Sequence, residues 1–160
     1  MENLTSIQLS AALPNLGHPW VALDQLTGPL PTVACVATLL DPSGQALGSG
    51  LFDPSDSLAA WRRFSHAEGA HFDGAYIASA LNDALARRSD EHCQRLIGSD
   101  ADYLPGLEVE LYDGVLCLRS THPIVDSEMD EIVESLKEAC EPKEIVLFQA
   151  DGVRTLSGQN

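Results

Sequence analysis

Basic residues are scarce in this chain. Nine lysines and arginines stand against 24 aspartates and glutamates, giving a formal net charge of −15 and a pI near 4.4. A protein that contacts about 6–10 phosphates would need most of those cations on one face. They are instead scattered as Arg62, Arg63, Arg87, Arg88, Arg95, Arg119, Lys137, Lys143 and Arg154. Composition thus opposes broad nucleic-acid binding and limits any RNA contact. Metal-type cysteine spacing is missing as well: Cys35, Cys93, Cys117 and Cys140 lie far apart, with no C-x-x-C among them. They are expected to be reduced, mostly buried small hydrophobes, with neither a metal site nor a disulfide. No run approaches the roughly 18 apolar residues of a membrane helix. The opening MENLTSIQLS also lacks a basic segment followed by an apolar one. No membrane association and a cytoplasmic location are therefore expected.

What is present is an ordinary folding complement. At 160 residues and 44% hydrophobic, the chain can bury about 70% of its unfolded surface, as one unit or two small ones. Residues 1–66 read as an all-β unit. Apolar runs at 33–40 and 47–52 flank Asp41-Pro42-Ser43-Gly44, where proline suits the first turn corner and glycine the positive-φ position. Gly48 and Gly50 within the second run point to a bulge or a close backbone approach. Trp61 to Phe64 reads as an edge strand in which an aromatic pair brackets Arg62 and Arg63.

Beyond it, Phe72, Tyr76, Ile77, Ala80, Leu81, Ala84 and Leu85 recur at spacings of three and four. They predict an amphipathic helix over 72–88, closed by Arg87 and Arg88 near its negative dipole end. Residues 95–110 (RLIGSDADYLPGLEVE) give an apolar strand start, an acidic turn, and a Pro105-Gly106 corner into an alternating strand. Asp100 and Asp102 are expected to hold that turn by accepting backbone N–H groups. Asp113-Gly114 is a tight-hairpin dipeptide. Asp126 or Ser127 is expected to cap a helix carrying Met129, Ile132, Val133, Leu136 and Cys140 on one face, with Ile145 to Phe148 as a further strand. The expected fold class is α+β: an all-β unit at 1–66, an α+β domain with a leading connecting helix at 67–150, and a tail at 151–160.

Several segments, taken in order, resemble the bacterial methyltransferases that make 5-methylcytosine in large-subunit ribosomal RNA. Residues 95–110 resemble that family's RLI-x-G-E-x-D-G-L-P-G-L-x-V-D segment. His18-Pro19-Trp20-Val21 matches its H-P-W-V element. Leu39, Asp41 and Gly44, followed by Leu47-Gly48-Ser49-Gly50, resemble its D-x-x-G-x-x-L-x-x-G strand pair. Asp53-Pro54 with Ser57-Leu58 is similar to its N-P-x-S-x-I corner, although the arginines that follow in the family fall one or two places later here, at Arg62 and Arg63. Val153-Arg154-Thr155-Leu156-Ser157-Gly158 resembles its V-R-x-x-E-G exit, with Ser157 in place of glutamate. The resemblance implies an N-terminal PUA-like barrel and the family's middle domain.

That family also needs a glycine-rich loop for S-adenosylmethionine and a cysteine nucleophile. Gly48-Ser49-Gly50 is a lone G-x-G with no following helix, and no cysteine sits beside an obvious base. The expectation is therefore a non-catalytic protein with no cofactor and no S-adenosylmethionine site. Its RNA-binding candidates are His18, Trp20, Trp61, Arg62, Arg63 and Arg95, aromatic surface mixed with cations. Three readings stay open: a module for structured ribosomal RNA, a protein-interaction or homodimerisation module, and an acidic mimic of nucleic acid.

Overall fold

Strand β1 (Thr5–Leu9) buries Ile7 and Leu9 and turns Ser6 to solvent, the two-residue period of a half-buried strand. It opens a six-stranded sheet with β2 (Trp20–Val21), β3 (Leu26–Thr27), β4 (Cys35–Leu40), β5 (Ala46–Phe52) and β6 (Trp61–Ser65), in the order β2-β6-β5-β4-β1-β3. The computed structural model describes residues 5–15, 17–149 and 152–155. The two outermost strands, β2 and β3, are joined by little more than the 3-10 turn Leu23–Gln25. A sheet whose edges are so close in sequence must curl on itself, and it forms a nearly closed, barrel-like layer. Its pairings are antiparallel except for β1 with β4. Ile7, Leu9, Val21, Leu39, Phe52 and Trp61 lie in its core.

The Asp41 turn forms as its chemistry requires. Gly44 takes φ +89°, and Asp41 Oδ1 accepts from Ser43 N, Ser43 Oγ and Gln45 N at 2.7–2.9 Å. The Ser43 hydroxyl, then the Gln45 and other backbone N–H groups, hold the Asp41 carboxyl below its ordinary range. A depressed carboxyl stabilises the fold above its unfolded pKa, and that contribution disappears as pH falls through the lower folded value. Acid titration of D41N is therefore expected to show a shallower loss of stability below pH 4 than the parent, measured by urea midpoints. Parallel curves would remove this role.

Gly48 and Gly50 mark a close approach. A Cβ on Gly50 would lie 2.4 Å from Trp61 Cε2, and one on Gly48 would lie 2.5 Å from the Ser65 carbonyl. The β5–β6 register shifts between Ser49 and Gly50.

The chain divides at Phe72 and Asp73 into two compact units. The second contains α1 (Gly74–Leu85), β7 (Cys93–Gly98), β8 (Leu107–Tyr112), β9 (Val115–Ser120), α2 (Pro123–Ser127), α3 (Met129–Cys140), β10 (Glu144–Gln149) and β11 (Gly152–Thr155). Its sheet order is β11-β10-β9-β8-β7. Asp73 caps α1 by accepting from Tyr76 N at 2.9 Å, and α1 packs on α3. Asp113 and Gly114 both take positive φ in the β8–β9 hairpin, the geometry of a primed turn.

Three details depart from expectation. Asp126 and Ser127 do not begin a helix; they lie inside α2, whose cap is His122, with Nδ1 accepting from Ile124 N at 3.1 Å. Pro123 presets the backbone for that first turn, and α3 starts separately at Met129. The tail expectation fails for residues 152–155, which pair antiparallel with β10; Leu156, Ser157 and Gly158 lie outside the described residues. Arg87 and Arg88 do more than complement the α1 dipole, because both reach Asp102. No helix among the described residues is long and apolar enough to cross a membrane.

Candidate nucleic-acid interface

The charge is distributed unevenly. The first unit carries two arginines against six carboxylates, a formal −4, whereas the second carries seven cations against eighteen carboxylates, a formal −11. The two cations of the first unit, Arg62 and Arg63, are adjacent on β6. Several of its acids are engaged in turns: Asp41 as above, Asp53 with Ser55, and Asp56 with the N–H groups of Leu58 and Ala59.

Strand pairing sets the geometry around these arginines. Trp20 lies opposite Arg62, and Val21 opposite Trp61. Directly opposed residues of an antiparallel pair share a sheet face, so Val21 and Trp61 share the core face while Trp20 and Arg62 share the other, on which Trp20 is exposed but Leu51, opposite Arg62, is fully buried. The Arg62 guanidinium carbon lies 5.4 Å over the Trp20 ring, within cation–π range. The His18 ring meets Trp20 edge-on at 5.7 Å, and His18 Nδ1 accepts from Trp20 N at 3.1 Å. Arg63 donates from its N–H to the Pro19 carbonyl at 2.9 Å and from Nη2 to the Gly17 carbonyl at 3.4 Å.

His18, Trp20, Arg62 and Arg63 are thus gathered on one part of the barrel. Trp20 is 43% exposed. Trp61 has to be removed from the contact surface: it is 1% exposed, and its Nε1–H donates to the buried Ala37 carbonyl at 2.9 Å. Its proximity to Arg62 in sequence carries it to the opposite face. Arg62 itself is only 9% exposed, its guanidinium spread on an indole.

Arg95 belongs to the second unit, on the sheet face away from the buried Leu107, Val109, Leu116 and Leu118. It pairs with Glu110 at 2.8 Å and Glu108 at 3.8 Å, while Arg119 meets Glu108 at 3.6 Å. The Arg95 hydrogen bond, followed by that from Tyr112, holds the Glu110 carboxyl below its usual range; Glu110 in turn pushes the Arg95 guanidinium up. This ladder is neutral in sum, so Arg95 brings no net cationic field to its face. Phe148 is 45% exposed beside it, and Cys117 lies between.

Sequence reasoning missed Asn15 and Gln25, which line a 320 Å³ cleft with His18 and Trp20. Neither carries a motif signal, because the use of each amide depends on a turn that only the fold reveals.

Gly48-Ser49-Gly50 does not fit a methyl-donor loop. It lies inside β5, where the Ser65 backbone and the Trp61 ring fill the space above the glycines. Ser49 Oγ is taken up by the Ala67 carbonyl and Ala70 N–H. No methyl-transfer step is derived from these residues.

The fold matches solved structures of one enzyme class. It superposes with a TM-score of 0.80 on a Streptococcus mutans protein assigned as a SAM-dependent methyltransferase, at 15% identity, covering 98% of this chain and 44% of that one. A second structure, assigned as a methyltransferase and solved with SAH, gives 0.77 at 15% identity and covers 43% of its own chain. At that identity the likeness shows the fold. In sequence, the chain is similar to Ribosomal RNA large subunit methyltransferase I of Photobacterium profundum, 28% identical over 143 residues, 84% of this chain and 36% of the relative. The enzyme of the same name from Alteromonas mediterranea is 27% identical over 125 residues, 72% of this chain and 31% of its own length. No family model matches. The chain spans about a third of the length of the curated relatives it matches.

These comparisons overturn the expectation of a non-enzyme. The sequence relatives are methyltransferases, and the structural neighbours are assigned to the same class, one of them holding SAH. A donor loop missing from residues that align with a third of an enzyme says nothing about the rest of it. That gap was the wrong ground for excluding catalysis or an S-adenosylmethionine site.

Proposed function

We propose that this chain is the RNA-engaging part of a SAM-dependent methyltransferase of large-subunit ribosomal RNA, with the first unit as a PUA-like domain and the second as the family's middle domain. The observation that carries the reading is local. The first unit holds only two cations, and both stand on β6 beside an exposed Trp20 and His18. Similarity to ribosomal RNA methyltransferases over most of the chain supports it independently.

A chain of net charge −15 binds RNA only if cation contacts are few and placed. Arg63→Ala is expected to weaken binding to a large-subunit ribosomal RNA hairpin uniformly across sequences. It should reduce the slope of log affinity against log salt by about 0.7–0.9, one phosphate contact. Fluorescence anisotropy between low and moderate salt measures both. An unchanged slope would detach Arg63 from the phosphate, and no binding of the parent chain at low salt would end the RNA reading.

A second reading has its own observation: the ladder face of the second unit, where Tyr112 and Phe148 stay exposed beside Arg95 and Arg119. This face is mixed and charge-neutral, which suits a protein surface rather than phosphate. Sedimentation showing a concentration-dependent dimer that F148E abolishes would favour it.

A further inference from the structure

We propose that the cleft beside Trp20 binds one unpaired RNA nucleobase, stacked on the indole and addressed by hydrogen-bond donors. This rests on the RNA-binding reading above and adds to it the form of RNA and the contact.

The cleft lies wholly within the first unit. Its 320 Å³ is at the lower end of small-ligand sites, and Leu13, Pro14 and Leu58 give it apolar walls around Trp20. Arg62 covers one face of the indole and the His18 ring meets it edge-on, yet the residue remains 43% exposed and lines the cleft. An aromatic face backed by a guanidinium is a stacking platform for any base, because every base has a π-face.

The polar groups of the cleft share one character. Asn15 Oδ1 accepts from Gly17 N at 2.9 Å, and Gln25 Oε1 accepts from Ala22 N at 2.8 Å. A backbone N–H can donate only to the amide oxygen, which fixes the orientation of both side chains. Each side chain keeps its NH₂ donor pair outside that bond, and both residues line the cleft. His18 Nδ1 likewise accepts from the Trp20 backbone, so the neutral ring carries its proton on Nε2. Three side chains therefore have their acceptors engaged by the local backbone and their donors available. None of the described residues lining the cleft is a carboxylate, although the chain is strongly acidic.

A π-face ringed by donors suits a flat ligand with acceptors on its rim. Base carbonyls and ring nitrogens, such as guanine O6 and N7, are of this kind. A base inside a duplex keeps its faces stacked on neighbours, so the ligand must be unpaired. An adjoining cleft of 400 Å³ shares Leu13 and His18 and includes Arg63, which places a cation beside the next phosphate.

The test uses the full chain with three probes: a mixed-sequence 12-nucleotide single strand, the same sequence annealed as a duplex, and the constituent mononucleotides. Tryptophan emission reads the contact directly, since Trp61 is buried and Trp20 is the exposed indole. The single strand is expected to quench Trp20 and to bind at least about tenfold more tightly than the duplex. Trp20→Ala should weaken the single strand about 5- to 150-fold, and Trp20→Phe, which keeps a ring, should lose less. Asn15→Asp and Gln25→Glu keep the acceptors that hold Gly17 and Ala22 but remove the donors. Each should weaken binding about tenfold, and the loss should persist at high salt, where a simple charge effect fades.

If RNA binds but W20A binds it equally and the parent shows no quenching, the stacking proposal fails and the RNA-binding reading stands. If mononucleotides quench as strongly per base as the oligomer, the cleft is a free-nucleotide site and the RNA assignment is overturned. Absence of any RNA affinity at low salt removes both.

Discussion

Trp61→Ala is expected to destabilise the barrel by about 3–5 kcal/mol, the usual cost of emptying a large aromatic site. A domain of some seventy residues has on the order of 5 kcal/mol in total, so the variant should be largely unfolded at moderate temperature. The side chain is fully buried, its Nε1–H satisfies the Ala37 carbonyl, and Gly50 lacks a Cβ where the ring passes. Nothing smaller fills that volume. Both tryptophans of the chain lie in Met1–Phe72 and all three tyrosines in Asp73–Asn160, so residual Trp20 emission during urea unfolding reports this unit alone. Trp20→Ala should cost far less. A W61A protein that melted with the parent but had lost RNA binding would return Trp61 to the contact surface and undo the core assignment.

The contrast between the two tryptophans shows what the sequence could and could not specify. Period-two and period-three-and-four patterns are local, and they located β4, β5, β8, β9, α1 and α3 with boundaries close to those observed. The Asp41 and Asp113 turns were legible for the same reason, since turn chemistry is confined to four residues. Strands β2 and β3 are two residues each and carry no periodicity; only closure of the sheet forms them. Which face of β6 meets the core depends on a register shift opposite Ser49 and Gly50. The strand pleat alone sends Trp61 and Arg62 to opposite faces; the sequence leaves open whether Trp61 is buried or part of the contact surface, and its burial decides that. The candidate site was legible as residue types, in His18, Trp20, Arg62 and Arg63. Its donor chemistry was not, because it follows from which backbone N–H groups Asn15, Gln25 and His18 have already accepted.

Asp102→Ala is expected to be the most damaging single change in the second unit. The sequence assigns this acid to turn-holding, and it does accept from Gly98 N at 2.6 Å. The fold adds two cations, Arg87 on Oδ1 at 2.9 Å and Arg88 on Oδ2 at 2.5 Å. Asp102 is 3% exposed, so its removal takes the acceptor from Arg88 Nη2 and the Gly98 N–H in a partly dry site and leaves Arg88 only its Nε–H bond to the Arg95 carbonyl at 3.0 Å. Breaking such a buried pair from one side costs about 3–5 kcal/mol. The Arg87 arm adds little, being half exposed to solvent. Asp102→Asn keeps an acceptor for Gly98 N but not the charge, and should fall between parent and alanine variant. The pin matters because it ties the end of α1 to the 3-10 turn Ser99–Asp102, from which the chain reaches the Tyr103 corner and β8. Thermal unfolding followed by near-ultraviolet tyrosine signals, which arise from this unit alone, should show the transition lowered by several degrees or more. A tyrosine transition unchanged in D102A would mean that the two arginines pair there without holding the turn.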